Sequence, residues 1–225
     1  MAAWNNEVEI DGLEEIEIEN TSVEEIDGEN INLMFLGIDQ SGSMGTYTKD
    51  MVKSLCDFKE ALLVSDEEEE ILAARANFEE HIEIGGYKRI REFDTAFQAG
   101  GSTAMYDAII KGTKKLKEYR KYLKDQGVRV KAVFALFSDG KDNASVSSFG
   151  EAKDAIGFLN KEEITTAFIS FGKEALDEAK QLGFRNILDI TSSAEELRRA
   201  FECLSKSVIE SSKSILADED DFFQV

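Results

Sequence analysis

Asp39, Ser41 and Ser43 alternate through the stretch Ile38-Asp-Gln-Ser-Gly-Ser-Met-Gly45, directly after the apolar run Ile31–Leu36. One carboxylate and two hydroxyls thus stand where a buried strand runs out, and Gly42 and Gly45 let the backbone turn sharply there. Small hard oxygen donors on a tight turn suit Mg2+, which takes near-octahedral oxygen geometry at about 2.0–2.1 Å and keeps some waters. A plain polar turn would use the same residues, and this stretch alone does not choose between the two. Two further segments carry similar chemistry: Gly100-Gly-Ser102-Thr103 and Ser138-Asp139-Gly140.

The elements that must position these residues alternate between strand and helix. Ile31–Ile38 is apolar throughout, as expected of a strand covered on both faces. Thr46–Val64 carries Met51, Leu55, Phe58 and Leu62 at helical spacing, and Asp66–Glu70 is a charged break. Ile71–Phe78 reads as a strand. His81–Phe93 reads as a hairpin, with Ile82 and Ile84 alternating, Gly85-Gly86 turning, and Tyr87, Ile90 and Phe93 returning. Ala104–Lys124 reads as a helix, Arg129–Phe137 as a second central strand and Ser148–Asn160 as a helix. Ile164–Phe171 (strand), Glu174–Leu182 (helix), Phe184–Ile190 (strand) and Ala194–Leu216 (helix, with Ser193 as N-cap) complete the order. Strands separated by helices of this length imply an α/β fold, a doubly wound and mostly parallel sheet with helices on both faces and one antiparallel edge hairpin. Ligands in such sheets bind beyond the carboxyl ends of the central strands. Asp39–Ser43 and Asp139 leave two central strands at that edge, and the loop to Thr103 can reach it.

In these three parts the chain resembles the von Willebrand factor type A domain with its metal-ion-dependent adhesion site. The matching residues are Asp39-Gln-Ser41-Gly-Ser43-Met44, Gly100-Gly-Ser-Thr103-Ala-Met-Tyr-Asp107 and Phe137-Ser-Asp139-Gly140, and the match spans about residues 31–216. The resemblance implies that Ser41 and Ser43 give hydroxyl oxygens directly to a metal ion. Thr103 would coordinate directly or through water, and Asp39 and Asp139 would act mainly through bound waters and by orienting the hydroxyls. It further implies Mg2+ as the cofactor, with Mn2+ sharing the same donor preference, and a partner protein whose Asp or Glu carboxylate takes the open position. Small intracellular members of this kind occur in tellurite-resistance systems and as helpers of AAA+ ATPases. Ser102 is a lesser candidate beside Thr103. Asp107 reads either as a residue behind the ligands or as an acid stabilising a helix N-terminus. Asp142 and Asn143 read as turn formers.

Composition narrows the alternatives. The net charge of −20 is concentrated at the ends: residues 1–30 hold eleven acids and no Lys or Arg, and Asp218–Asp221 add four more. The remaining 31–216 hold 31 acids and 26 bases. No basic footprint for nucleic acid or anionic lipid is present. His81, the only histidine, falls within the expected hairpin, away from the site edge, so neither a Ser-His-Asp hydrolase nor a zinc site is expected. An Mg2+-dependent hydrolase has little support, and the chain is expected not to be an enzyme. No apolar run approaches a membrane span and no basic, apolar leader opens the chain, which points to the cytoplasm. Cys56 and Cys203 are expected as reduced, buried thiols. The expected organisation is an acidic arm (1–30, an acidic β-hairpin or disordered), a central domain (31–216) and an acidic tail (217–225). The second functional expectation is a self-assembling scaffold, in which an acidic arm of one copy docks on the next.

Overall fold

A computed structural model of the chain describes residues 30–65, 70–190, 193–213 and 222–223. The expected N-terminal hairpin and most of the acidic tail lie outside these. The described strands are β1 (Asn30–Asp39), β2 (Glu70–Phe78), β3 (Ile82–Ile84), β4 (Lys88–Arg89), β5 (Arg129–Ser138), β6 (Thr165–Ser170) and β7 (Asn186–Asp189). The helices are α1 (Thr48–Ser65), α2 (Met105–Asp125), α3 (Phe149–Lys161), α4 (Lys173–Leu182) and α5 (Ala194–Lys213). The sheet order is β3-β2-β1-β5-β6-β7, with β4 also on β2. β2, β1, β5, β6 and β7 run parallel, and β3 and β4 run antiparallel to β2.

Strand β1 explains the two-sided cover. Its alternate residues Ile31, Leu33 and Phe35 pack under α2, α3 and α4, while Met34, Leu36 and Ile38 pack under α1 and α5. Burying an apolar side chain contributes roughly 1.5–3 kcal/mol, so a strand apolar on both faces is held only where both are covered. Helix α2 lies close on the sheet because Gly112 has no side chain: a Cβ there would come within 2.4 Å of the Phe35 ring. Phe35 in turn stacks on Phe134 of β5, with ring centroids 5.0 Å apart.

The structure corrects three local expectations. The segment His81–Phe93 is not a hairpin. β3 and β4 both pair with β2, β3 opposite Ala76–Phe78 and β4 opposite Leu72–Ala73. Gly85 does not turn the chain back, because its N–H donates to the Arg75 carbonyl of β2 at 2.9 Å. Tyr87 is then fully buried and stacks on Tyr119 at 4.4 Å, and Ile90–Glu92 forms a single 3-10 turn. Second, a 3-10 helix, Gly42–Tyr47, precedes α1. Third, Cys56 and Cys203 are free thiols but half-buried rather than buried. Ser193 does cap α5, accepting from Glu196 N–H at 3.2 Å. Of the tail, Phe222 packs into the core beneath α5, and its N–H donates to Asn186 Oδ1 at 3.2 Å.

Candidate metal centre

The register brings Asp39 beside Ser138, since Ile38 pairs with Phe137 one residue earlier. Two adjacent parallel strands therefore end together, and the loops that leave them meet. Asp39 is fully buried. Its Oδ1 accepts the Ser41 N–H at 2.8 Å and its Oδ2 accepts the Ser138 hydroxyl at 2.6 Å. The first bond curls the loop so that Ser41 and Ser43 face the same way, with Oγ atoms 3.0 Å apart. Ser43 then donates across to Asp139 Oδ1 at 2.8 Å. Buried Met44 and Tyr47 anchor the far end of this loop. The site is graded in depth: Asp39 and Ser41 are buried, Asp139 is half-buried and Ser43 is exposed.

The loop carrying Thr103 is held against the first by backbone bonds. Gly100 N–H donates to the Gln40 carbonyl at 2.7 Å, and Gly42 N–H donates to the Gly101 carbonyl at 3.1 Å. Gly101 requires its glycine, for φ is +74° and a Cβ would meet Glu79 Oε2 at 2.6 Å. Thr103 is buried, whereas the Ser102 hydroxyl donates to Glu80 Oε1 at 3.3 Å. The third loop, 139–148, is bonded to the start of α2. Asn143 Oδ1 accepts from Thr103 N–H and Asp142 Oδ2 from Tyr106 N–H. Asp107 accepts from Val146 and Ser147 N–H. The sequence pattern gives Ser138 no role and reads Asp142 and Asn143 as turn formers, whereas in the fold Ser138 binds Asp39 and the other two bind the backbone at and before the start of α2. A serine at the end of a buried strand, beside a motif aspartate, is the signal that could have found the first.

Burial pushes the Asp39 carboxyl up from its ordinary 3.8 to about 6, against the hydrogen bonds from Ser138 and Ser41 that lower it. Burial likewise raises Asp139. Asp107 behaves oppositely: burial would raise it, but hydrogen bonds from Ser147 and Val146 hold it below its ordinary value. His81, expected away from this edge, follows the end of β2 there, because Phe78 pairs with Asp39. Its side chain is exposed and makes no hydrogen bond to Asp39, Ser41, Ser43 or Asp139. Among the described residues no three or more His, Cys, Asp or Glu side chains gather at metal-holding distance. Hydrogen bonds link Asp39, Ser41, Ser43 and Asp139 in one row of oxygens, and Thr103 lies on the loop whose backbone is bonded to theirs.

No protein-family model matches the sequence, and no curated protein matches it. Solved structures do match in shape. The pilus adhesin SpaC from Lactobacillus rhamnosus GG superposes with a TM-score of 0.63 at 9% identity, covering 83% of this chain and 31% of its own. A von Willebrand factor type A protein from Catenulispora acidiphila gives 0.59 at 18% identity, covering 80% and 43%. The chain is similar in fold to von Willebrand factor type A domains. Proximal thread matrix protein 1 from the mussel byssus, in a form with a zinc-occupied adhesion-site motif, gives 0.54 at 18%, covering 80% and 46%. The chain thus spans about a third of the adhesin and under half of the other two. Its sheet order and two-sided helical cover match the doubly wound architecture expected of the sequence.

Proposed function

We propose that this chain is an Mg2+-dependent protein-interaction module, which binds a partner's carboxylate through an ion held by Ser41, Ser43, Thr103, Asp39 and Asp139. The observation that carries this reading is the row Asp39–Ser41–Ser43–Asp139, joined by hydrogen bonds at one sheet edge, in which the bonded Ser41 and Ser43 hydroxyl oxygens lie 3.0 Å apart. Adjacent ligands of an octahedral ion at about 2.1 Å lie roughly 3.0 Å apart, so the two hydroxyls already have the spacing of neighbouring ligands. The buried Asp39 supports it, since the hydrogen bonds from Ser41 N–H and Ser138 do not fully offset the cost of burying a carboxylate, which a nearby positive charge would lower. The engaged Ser102 hydroxyl favours Thr103 as the donor on the second loop. The zinc-occupied motif of the mussel protein shows that a similar fold accommodates a divalent cation.

When bound, the ion would supply a positive charge with an open outward position for an anionic oxygen. The chain's own residues do the rest. Ser138 and Ser41 N–H orient the Asp39 carboxylate. Asp139 orients the Ser43 hydroxyl. Exposure of Ser43 leaves the outward side open to a partner. Isothermal titration of Mg2+ into chelator-treated protein should release or absorb heat with one site per chain, and Asp39→Ala should abolish it. A wild type that shows neither heat nor a rise in melting temperature, with Asp39→Ala indistinguishable from it, sinks the reading.

A further inference from the structure

The third loop is tied to the second across a wide gap in sequence. Thr103 is fastened on both sides of its backbone by one residue: its N–H donates to Asn143 Oδ1 at 2.8 Å, and its carbonyl accepts the Asn143 and Ala144 N–H groups at 3.0 and 3.1 Å. One turn on, Tyr106 N–H donates to Asp142 Oδ2 at 2.9 Å and Asp107 N–H to Ser145 Oγ at 3.0 Å. Asp107 answers by accepting Val146 N–H at 3.0 Å and Ser147 N–H at 2.9 Å. Asx residues in turns ordinarily bond the backbone a residue or two away. Asp142 does something of the kind with Ser145 N–H at 3.2 Å, but its other oxygen reaches back 36 residues and that of Asn143 reaches back 40.

We propose that Asn143, with Asp142 and Asp107, is a positioning residue of the metal centre, setting Thr103 and Asp139 in register before any ion arrives. The inference rests on the metal reading above. Ordering free loops around an ion costs conformational entropy for every residue fixed. Here that cost is met at folding, by bonds that do not involve the ligand atoms. Groups that orient ligands from behind typically change metal affinity 10- to 100-fold when removed. Asn143 is the best probe, because its side chain is exposed and uncharged, so its loss opens no cavity and removes no charge, and the one bond it takes away is the acceptor of Thr103 N–H.

The test is Mg2+ titration of the full chain by calorimetry, alongside melting in chelator. Asn143→Leu should bind Mg2+ at least tenfold more weakly than wild type while still unfolding in one cooperative transition in chelator, at a somewhat lower temperature because Thr103 N–H has lost its acceptor. Asn143→Asp, which keeps the acceptor, should bind at least as tightly as wild type. Equal affinity in wild type and Asn143→Leu overturns the proposal while leaving the metal reading standing. Wild type that takes up no Mg2+ removes both. Amide exchange of the wild type supplies a second measurement that needs no variant to fold. The N–H groups of Thr103, Tyr106, Val146 and Ser147 should be protected in metal-free protein. Rapid exchange that slows only when Mg2+ is added overturns the proposal.

Discussion

The loops 40–47 and 139–148 leave neighbouring strands at the same sheet edge, and a carboxylate accepts backbone N–H groups in each, yet only the first also has an apolar anchor. The first is pinned by apolar burial: Met44 is fully buried and Tyr47 nearly so, both in the core between the sheet and α1. Among the described residues of 139–148 none is buried, and that loop is held by side-chain oxygens accepting backbone N–H groups. The difference extends to charge. Asp39, at the root of loop 40–47, is raised by burial, whereas Asp107, which clasps loop 139–148, is held low by the N–H groups it accepts. An apolar anchor fixes a loop without regard to pH or ions. A carboxylate clasp fixes it directionally, and most strongly while ionised.

The largest break in this comparison should come from Met44→Ala. It opens a cavity under the first loop and should cost about 2–5 kcal/mol of stability, read by denaturant unfolding, with Mg2+ uptake weakened in the molecules that remain folded. A loss below about 1 kcal/mol would mean that the first loop does not depend on its apolar anchor.

The pH dependence of metal-free protein separates the two carboxylates. A folded-state value above the ordinary one means that folding favours the protonated acid. The Asp39 contribution is therefore fully present below about 3.8 and is lost as pH rises to about 6. At about 1.4 kcal/mol per unit, this amounts to roughly 3 kcal/mol at most. Asp107 has the opposite sign: lowered on folding, it contributes above 3.8 and is lost as pH falls below that. Melting in chelator between pH 3 and 7 should show Asp39→Asn removing the decline from about pH 4 to 6, and Asp107→Asn removing part of the loss at the acid end. If both variants alter the same window, the contrast between the loops is wrong.

The smallest effect is expected at Val146, 98% exposed at the tip of the clasped loop. Val146→Ser touches no buried surface and should change stability by no more than about 0.5 kcal/mol. A larger loss would show that the clasp relies on apolar cover after all.

Much of the site was legible in the sequence because its donors lie in short local patterns. Asp39, Ser41 and Ser43 alternate at the end of an apolar run, and Asp139 follows a second such run, so each could be placed at a strand end from its neighbours alone. What escaped depended on pairing. Gly85-Gly86 reads as a turn by composition, but Tyr87 finds its buried place against Tyr119 only if the chain runs on along β2. His81 reads as lying off the site edge, until the register of β2 against β1 puts it there.

The amino-acid sequence by itself determined the alternation of strands and helices, the two-sided burial of the central strands and the types of donor at their ends. These follow from periodicity and from residue chemistry, which act over a few positions. Only the tertiary structure decided that Ser102 is engaged by Glu80 while Thr103 is buried, that Ser138 orients Asp39, and that Asn143 and Asp107 bind loops about 40 residues apart. A hydrogen bond needs its donor and acceptor within about 3 Å and well aligned, and between distant residues that condition is met only once the packed sheet has brought the strand ends together.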